Sequence, residues 1–97
     1  MEQGYGERVN VIKLYCVPKY PASIKDYNLN RILSLDGISD HTIGIDLAKI
    51  VLTNNPQAII EKHFAIDHKT GVDAEWSMTP SELRELRRWV DVCQAVI

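Results

Sequence analysis

Apolar residues gather in short runs along the chain, and polar or proline-containing segments separate these runs. Three of the runs predict β-strands, at residues 9–17, 37–41 and 58–64. The first run is apolar on both faces, a pattern typical of parallel sheets that helices cover. Proline cannot donate to a strand ladder, so Pro18 and Pro21 end this first strand. The pattern therefore predicts a small parallel sheet.

The segments after the first two strands predict helices. Residues 25–35 form the first predicted helix, and residues 45–52 form a second, mostly apolar one that ends before Pro56. Helical spacing decides which side chains of the first helix should face the core. These residues are Tyr27, Leu29, Ile32 and Leu33.

The last helix has the clearest local signature. Thr79 is the predicted N-cap, Pro80 occupies the first helical position, and Glu82 completes a capping box. Apolar residues then recur at helical spacing and predict one buried face. They are Leu83, Leu86, Val90, Cys93 and Ile97, with Trp89 and Val96 beside them.

The predicted elements follow the order βαβαβα. The predicted strand ends at Cys16, Ser39 and His63 recur at nearly even intervals, which is typical of β/α units in a barrel, although doubly wound sheets show it too. A complete TIM (β/α)8 barrel needs about 250 residues, and this chain has 97. We therefore expect an α/β fold that forms about three units of a partial barrel. Residues 1–8 should be an irregular N-terminal tail, and residues 9–97 the barrel part.

A piece of a barrel should have open sheet edges. In the predicted order, the strands at residues 9–17 and 58–64 each lack one neighbour. Unpaired strand edges associate readily with other strands. The sequence therefore predicts self-association through these edges.

Charge and cysteine content narrow the class of protein. The net charge is −2, and the chain has neither a basic stripe nor a long apolar run. These features argue against a nucleic-acid or membrane role. Cys16 and Cys93 lie far apart and form no CxxC motif, so we expect reduced thiols that pack in a strand and on the buried face of a helix. A cytoplasmic location fits these observations.

Polar side chains stand at the ends of the second and third predicted strands. Alternation places Ser39 and His41 on one face of the second strand, and Glu61 and His63 on one face of the third. If the strands are parallel neighbours, both histidines can reach one divalent ion such as Mn²⁺, Fe²⁺ or Zn²⁺. Hydrogen-bonded structural histidines are the alternative interpretation.

Other candidate residues carry weaker signals. A carboxylate that faces a barrel interior, as Glu61 would, is costly unless a partner, water or metal compensates it. Tyr20 is interpreted as either a ligand-facing phenol or a loop anchor. Asp73 lies in a polar loop, where acidic residues are usually solvated, and His68 is predicted to be a surface residue.

Four segments of the chain carry recognisable motifs. They are Tyr15-Cys16-Val17-Pro18-Lys19-Tyr20-Pro21-Ala22, Ser39-Asp40-His41-Thr42-Ile43-Gly44, Ile60-Glu61-Lys62-His63-Phe64, and Gly71-Val72-Asp73 through Trp76-Ser77-Met78. Together these segments resemble the N-acetylneuraminate (sialic acid) synthase family. The resemblance covers nearly everything after Val9, in the family's order.

The resemblance implies a TIM barrel that condenses phosphoenolpyruvate with an N-acylated mannosamine or related sugar, giving a nonulosonic acid and phosphate. It implies a divalent cofactor, Mn²⁺ or Mg²⁺, and a position in the C-terminal third of the barrel. It also implies a role for each candidate residue: His41 and His63 as metal ligands, Ser39 as a phosphoenolpyruvate contact, Glu61 as the catalytic carboxylate beside the metal, and Asp73 and Tyr20 as sugar contacts.

The chain departs from the family pattern in two respects that bear on activity. Pro18 stands where the family has Asn or Ser, which removes a phosphate contact. The first five barrel units are missing, so the sequence predicts a fragment that is inactive alone. The alternative is a non-catalytic metal-binding or oligomerising module. A structural α/β domain with core histidines is a more remote interpretation.

Overall fold

The structure is a computed structural model that describes residues 9–97, and a three-stranded parallel sheet lies at its centre. The strand order is β1-β2-β3. The predicted tail at residues 1–8 lies outside the described residues, whereas the predicted βαβαβα order is confirmed. The elements are β1 (Leu14–Cys16), α1 (Leu29–Leu33), β2 (Gly37–Ser39), α2 (Asp46–Asn54), β3 (Ile59–Glu61) and α3 (Pro80–Ala95), with short 3₁₀ helices at Ile24–Asp26 and Ala74–Trp76.

The register of the sheet separates two rows of side chains. Tyr15, Ile38 and Ile60 are paired across the three strands, and all three contact the hydrophobic core beneath α1 and α2. Alternation then places the row formed by Cys16, Ser39 and Glu61 on the opposite face. The helices therefore cover one face of the sheet, and the other face carries the polar strand ends.

Two clusters of apolar side chains hold the helices on the sheet, and α2 contributes to both. Burying these side chains is the main source of stability in so small a fold. The first cluster contains Ile32, Ile38, Leu47 and Val51. The second contains Ala48, Leu52, Met78 and Leu86.

The first predicted strand is longer than the observed one. Only Leu14–Cys16 pair with β2, while Val9, Val11 and Ile12 are exposed. The reason is that β2 begins at Gly37, so among the described residues no strand lies beside residues 9–12. Cys16 lies in β1 but is exposed, contrary to the packing we expected.

The other predicted strands are also shorter than expected. The second strand ends at Ser39, and the third runs only from Ile59 to Glu61. Beyond it, Phe64 forms an isolated bridge with Met78. The strand ends are therefore held by individual contacts and not by a continuous ladder.

The predicted helix at residues 25–35 is in fact two short helices. Ser23 caps the 3₁₀ helix, and the Asn28 side chain accepts a hydrogen bond from the Arg31 amide to start α1. Asn28 interrupts the helix because its side chain competes for backbone hydrogen bonds. Ile32 is buried as predicted, but Leu33 is exposed.

The last helix begins where the sequence predicts, but Leu83 and Val96 of its predicted buried face are exposed. Thr79 and Glu82 form the predicted capping box, and Pro80 begins α3. Leu86 and Cys93 are buried on its inner face, whereas Ile97 lies beyond the helix end and is exposed. Among residues 9–97, no helix has the length and apolar character that crossing a membrane requires.

Candidate functional site

The carboxyl ends of the three parallel strands meet at one edge of the sheet, where they border a cleft. The cleft has a volume of about 390 Å³. Polar ends of parallel strands are where α/β barrels place their chemistry. Its lining includes five of the six predicted site residues, so the two predicted strand ends border the same cleft. The lining residues are Tyr20, Ser39, His41, Glu61, Lys62 and His63.

The first histidine of the cleft has a defined proton arrangement. His41 Nδ1 lies 2.6 Å from the carbonyl oxygen of Val17, which can only accept a hydrogen bond, so Nδ1 carries the proton. The other ring nitrogen, Nε2, lies 3.1 Å from the hydroxyl of Ser39. A backbone carbonyl that orients an imidazole in this way is typical of metal-ligating histidines.

A partly buried tyrosine hydroxyl fixes the end of β2. The hydroxyl of Tyr27 donates to the Ser39 carbonyl at 2.9 Å and accepts from the His41 amide at 3.1 Å. Burial raises the pKa of Tyr27, with the His41 amide opposing it, so the hydroxyl keeps its proton. The sequence had suggested only a packing role, yet a tyrosine within a buried stripe needs a partner for its hydroxyl.

Tyr20 contacts both histidines of the cleft. Its ring stacks on His41 with centroids 4.1 Å apart, and its edge meets His63 at 5.9 Å. Its hydroxyl lies 3.1 Å from His41 Nε2, and its ring lies 5.8 Å from Trp76. Tyr20 is therefore both a phenol that faces the cleft and a residue that joins two loops.

His63, the second histidine of the cleft, is oriented by Asp73, the predicted site residue that is not in the cleft lining. His63 Nδ1 lies 3.2 Å from a carboxylate oxygen of Asp73. Both side chains are partly exposed at the mouth of the cleft. A carboxylate that accepts from one ring nitrogen leaves the other nitrogen free for a ligand. Asp73 is thus brought to the site through His63.

Glu61 stands beside Ser39 in the sheet register, on the open face. Its side chain is exposed, so the burial cost that the sequence suggested does not arise within residues 9–97. The carboxylate is available to whatever occupies the cleft.

The cleft offers part of a donor set for the divalent ion that the sequence suggested. His41 and His63 each have one ring nitrogen engaged by an oxygen acceptor, which suits a borderline divalent ion. Within the described part of the chain, no group of three or more histidine, cysteine or acidic side chains is arranged to hold an ion. The residues therefore fit two ligand positions of a site.

Sequence reasoning missed a buried ion pair behind the cleft. Lys62 Nζ lies 3.5 Å from Asp40 Oδ1, and both side chains have 0% exposure. Burial lowers the pKa of Lys62, while the adjacent Asp40 carboxylate opposes that change. Strand alternation puts both residues on the face away from the histidines. Their shared face and opposite charges are the sequence features that could have predicted this pair.

His68 ties the loop that carries Asp73 to the last helix. Its Nδ1 lies 3.0 Å from the Ala74 carbonyl, and its Nε2 lies 3.1 Å from Glu82. Because both partners only accept, the Ala74 carbonyl and Glu82 raise the pKa of His68. His68 is exposed, as predicted, and it also anchors the loop.

Comparison with known proteins agrees with this geometry. The profile of the NeuB family matches residues 4–97. The chain is 35% identical to the N,N'-diacetyllegionaminic acid synthase of Campylobacter jejuni, over 82% of this chain and 26% of that protein. It is 34% identical to the pseudaminic acid synthase of the same species, over 84% of this chain and 25% of that protein.

A solved structure shows the same arrangement of elements. The N-acetylneuraminic acid (sialic acid) synthetase of Leptospira borgpetersenii, crystallised with citrate, matches with a TM-score of 0.75 and 32% identity. The match covers 86% of this chain and 32% of that one, so the chain spans between a quarter and a third of the proteins it resembles. The expected partial barrel is confirmed. The chain belongs to the NeuB family, the family of N-acetylneuraminate (sialic acid) synthases that its motifs resemble.

Proposed function

We propose that residues 9–97 supply part of the active site of a NeuB-type synthase, which condenses phosphoenolpyruvate with an N-acylated amino sugar to give a nonulosonic acid and phosphate. The observation that carries this proposal is the cleft, where Ser39, His41, Glu61 and His63 lie together at the ends of neighbouring strands. The cytoplasm, which contains phosphoenolpyruvate, is the proposed location.

Each side chain of the cleft has a proposed task. His41 and His63 would hold a divalent ion, Mn²⁺ or Mg²⁺. Such an ion would polarise the aldehyde of the acceptor sugar. The hydroxyl of Ser39 would donate a hydrogen bond to the phosphate of phosphoenolpyruvate, and Glu61 would be the catalytic carboxylate beside the reacting atoms.

Two residues at the mouth of the cleft would recognise the sugar. Tyr20 presents a ring and a hydroxyl to the cleft, and the Asp73 carboxylate has lone pairs beyond those used by His63. Both suit the hydroxyl-rich face of a sugar. The relatives act toward different nonulosonic acids according to their names, so the acceptor is proposed only as a class.

The proposed activity needs more of a barrel than these residues provide. Two histidines leave further ligand positions to be filled, and a closed barrel holds reacting groups in place. We therefore propose that the 97-residue chain is inactive alone. The alternative, a metal-binding or oligomerising module, is favoured by the open edges of β1 and β3.

A chimera tests the proposed function. Residues 9–97 would replace the matching segment of the Campylobacter jejuni legionaminic acid synthase, and phosphate release would be followed with phosphoenolpyruvate and a panel of N-acylated amino sugars. We expect sugar-dependent turnover that a chelator abolishes and Mn²⁺ restores. The isolated chain should show no turnover; measurable turnover by it would contradict the proposed inactivity.

The three histidines of the chain provide matched controls. His41→Ala and His63→Ala in the chimera should each lower kcat/KM by about 100-fold or more, because each removes a metal ligand. His68→Gln lies outside the cleft and should keep most of the activity. Equal losses for all three variants would argue against a special role for the cleft histidines.

A further inference from the structure

The two candidate metal ligands lie where the sheet ends. The last main-chain hydrogen bond between the β2 and β3 segments in the described structure runs from the Asp40 amide to the Glu61 carbonyl, at 2.8 Å. His41 and His63 both follow this bond along the chain. Main-chain pairing therefore does not set the separation between them.

Each histidine is tied outward, to its own loop. The His41 carbonyl accepts from the Ala22 amide at 2.9 Å, and the His63 carbonyl accepts from the Met78 amide at 2.7 Å. These bonds hold each segment on its outer side. They do not hold the two segments to each other.

A buried lysine makes the missing connection. Lys62 Nζ donates to the Thr42 carbonyl at 2.6 Å and lies 3.5 Å from Asp40 Oδ1. Asp40 Oδ1 in turn accepts from the amide and hydroxyl of Thr42, at 2.9 and 2.6 Å. One lysine of the third strand segment thus binds both residues that flank His41.

Burying this ion pair is costly, which indicates that the pair has a role other than stabilising the fold. Two charges with 0% exposure lose their hydration, and an apolar pair of similar size would often be at least as stable. Asp40 Oδ2 is buried without a partner in the described structure, so this carboxylate is compensated at Oδ1, by Lys62 and the two Thr42 donors. What the pair provides that an apolar pair cannot is a directed bond between the strand ends.

We propose that Lys62 and Asp40 form a buried clamp that fixes the ends of β2 and β3 relative to each other and so positions His41 and His63. The two residues act through their neighbours and are positioning residues. The proposed benefit, a metal-ready spacing of the histidines, rests on the proposed function, whereas the clamp itself does not.

The test uses the 97-residue chain with Lys62→Met, Asp40→Asn and the double variant. Lys62→Met removes the ammonium but leaves a buried carboxylate uncompensated, so it should be the least stable. The double variant removes both charges, while the amide oxygen introduced by Asp40→Asn can still accept from Thr42. Lys49→Met is the matched control, since Lys49 pairs with Glu85 on the partly exposed helix surface.

Two measurements separate positioning from stability. Amide hydrogen exchange at residue 40 and at Met78 should become at least about 10-fold faster in Lys62→Met and in the double variant. In the double variant, α3 should exchange as in Lys49→Met. Mn²⁺ added to histidine-labelled chain should broaden the side-chain NMR signals of His41 and His63, and both variants should need about 10- to 100-fold more Mn²⁺. In the double variant, stability should recover, but slow amide exchange at residue 40 and Met78 should not, and neither should Mn²⁺ affinity.

The outcomes are distinguishable. Unchanged exchange at the strand ends in a folded double variant would overturn the clamp, as would recovery of Mn²⁺ affinity together with stability. If Lys62→Met does not fold, the double variant carries the test. If Mn²⁺ leaves both histidines of the wild-type chain unaffected while the variants exchange faster, the proposed metal role fails and the clamp stands.

Discussion

The chemistry available to His41 depends on which ring nitrogen carries its proton. The Val17 carbonyl accepts a hydrogen bond from Nδ1, and the hydroxyls of Ser39 and Tyr20 lie against Nε2. Val17, which follows β1, therefore orients the ring of His41, which follows β2. The Asp73 carboxylate orients the ring of His63 in the same way, through a contact with Nδ1. In both histidines, an oxygen acceptor engages Nδ1, and this contact leaves Nε2 unused.

The ion pair of His68 with Glu82 predicts a pH dependence of stability. The pKa of His68 is raised in the folded state. The charged ring therefore stabilises the fold fully at a pH below its ordinary pKa of 6.5. This stabilisation is lost as the pH rises through the pKa of the folded state. Although burial opposes it, the Thr79 amide and His68 lower the pKa of Glu82, whose contribution is complete above 4.5. The pair therefore stabilises the fold most between these two values.

Urea unfolding of the wild-type chain and His68→Gln checks this prediction. The wild type should be more stable by an amount within the range of about 0–1 kcal/mol that exposed pairs give. The difference should be largest near pH 5.5 and small at about pH 8.5. A difference that grows as the pH rises from 5.5 to 8.5 would show that the ring is held as neutral imidazole.

Among the elements, β2 depends on a residue without a side chain. A Cβ at Gly37 would overlap the carbonyl oxygen of Ile59 and lie 2.7 Å from its carbonyl carbon. The opposing atoms belong to the backbone and cannot move aside. The short central strand therefore requires glycine at its first position to approach β3.

Gly37→Ala should destabilise the fold severely, in the exceptional class of about 4 kcal/mol or more, because the β2–β3 pairing must open. Gly44→Ala is the control: Gly44 has a φ of 82° and nothing within 4 Å of an added Cβ. It should cost only the backbone strain, about 1–2 kcal/mol. Thermal unfolding of both variants checks that Gly37→Ala loses more stability than Gly44→Ala. Equal losses of stability would contradict the steric explanation.

The elements that the sequence predicted best are those with local signals. The capping box at Thr79 and Glu82 defines the start of α3 within its own four residues. The length of the first strand was wrong because pairing depends on where β2 begins, which local apolarity cannot reveal. The interruption at Asn28 was visible as a capping residue, but the apolar spacing through residues 25–35 outweighed it.

The site was predictable for the same kind of reason. Alternation placed Ser39 with His41 and Glu61 with His63, and parallel neighbours brought the pairs together. The contacts that orient these side chains, from Val17 and Tyr27, depend on three-dimensional approach. The roles of the six candidate residues in metal and substrate binding stay predictions.

At the scale of the whole molecule, the fold is open. A compact domain of this length has a radius of gyration of about 13 Å, whereas this chain has 15.3 Å and extends 47 Å along its longest axis. On the face of the sheet that carries Ile59 and Glu61, both of these β3 side chains are exposed. Large apolar side chains are exposed along both outer strand segments.

These open edges predict concentration-dependent self-association of the 97-residue chain, measurable by light scattering. Ile59→Lys places a charge on the exposed edge strand β3 and should shift the chain toward monomer, because edge lysines oppose strand pairing. Val96→Lys is the control, since Val96 is exposed at the end of α3, away from the sheet. A wild-type monomer at all concentrations, or equal effects of both lysines, would contradict association through the edges. A defined oligomer that binds Mn²⁺ but not phosphoenolpyruvate would favour the non-catalytic module over the synthase fragment.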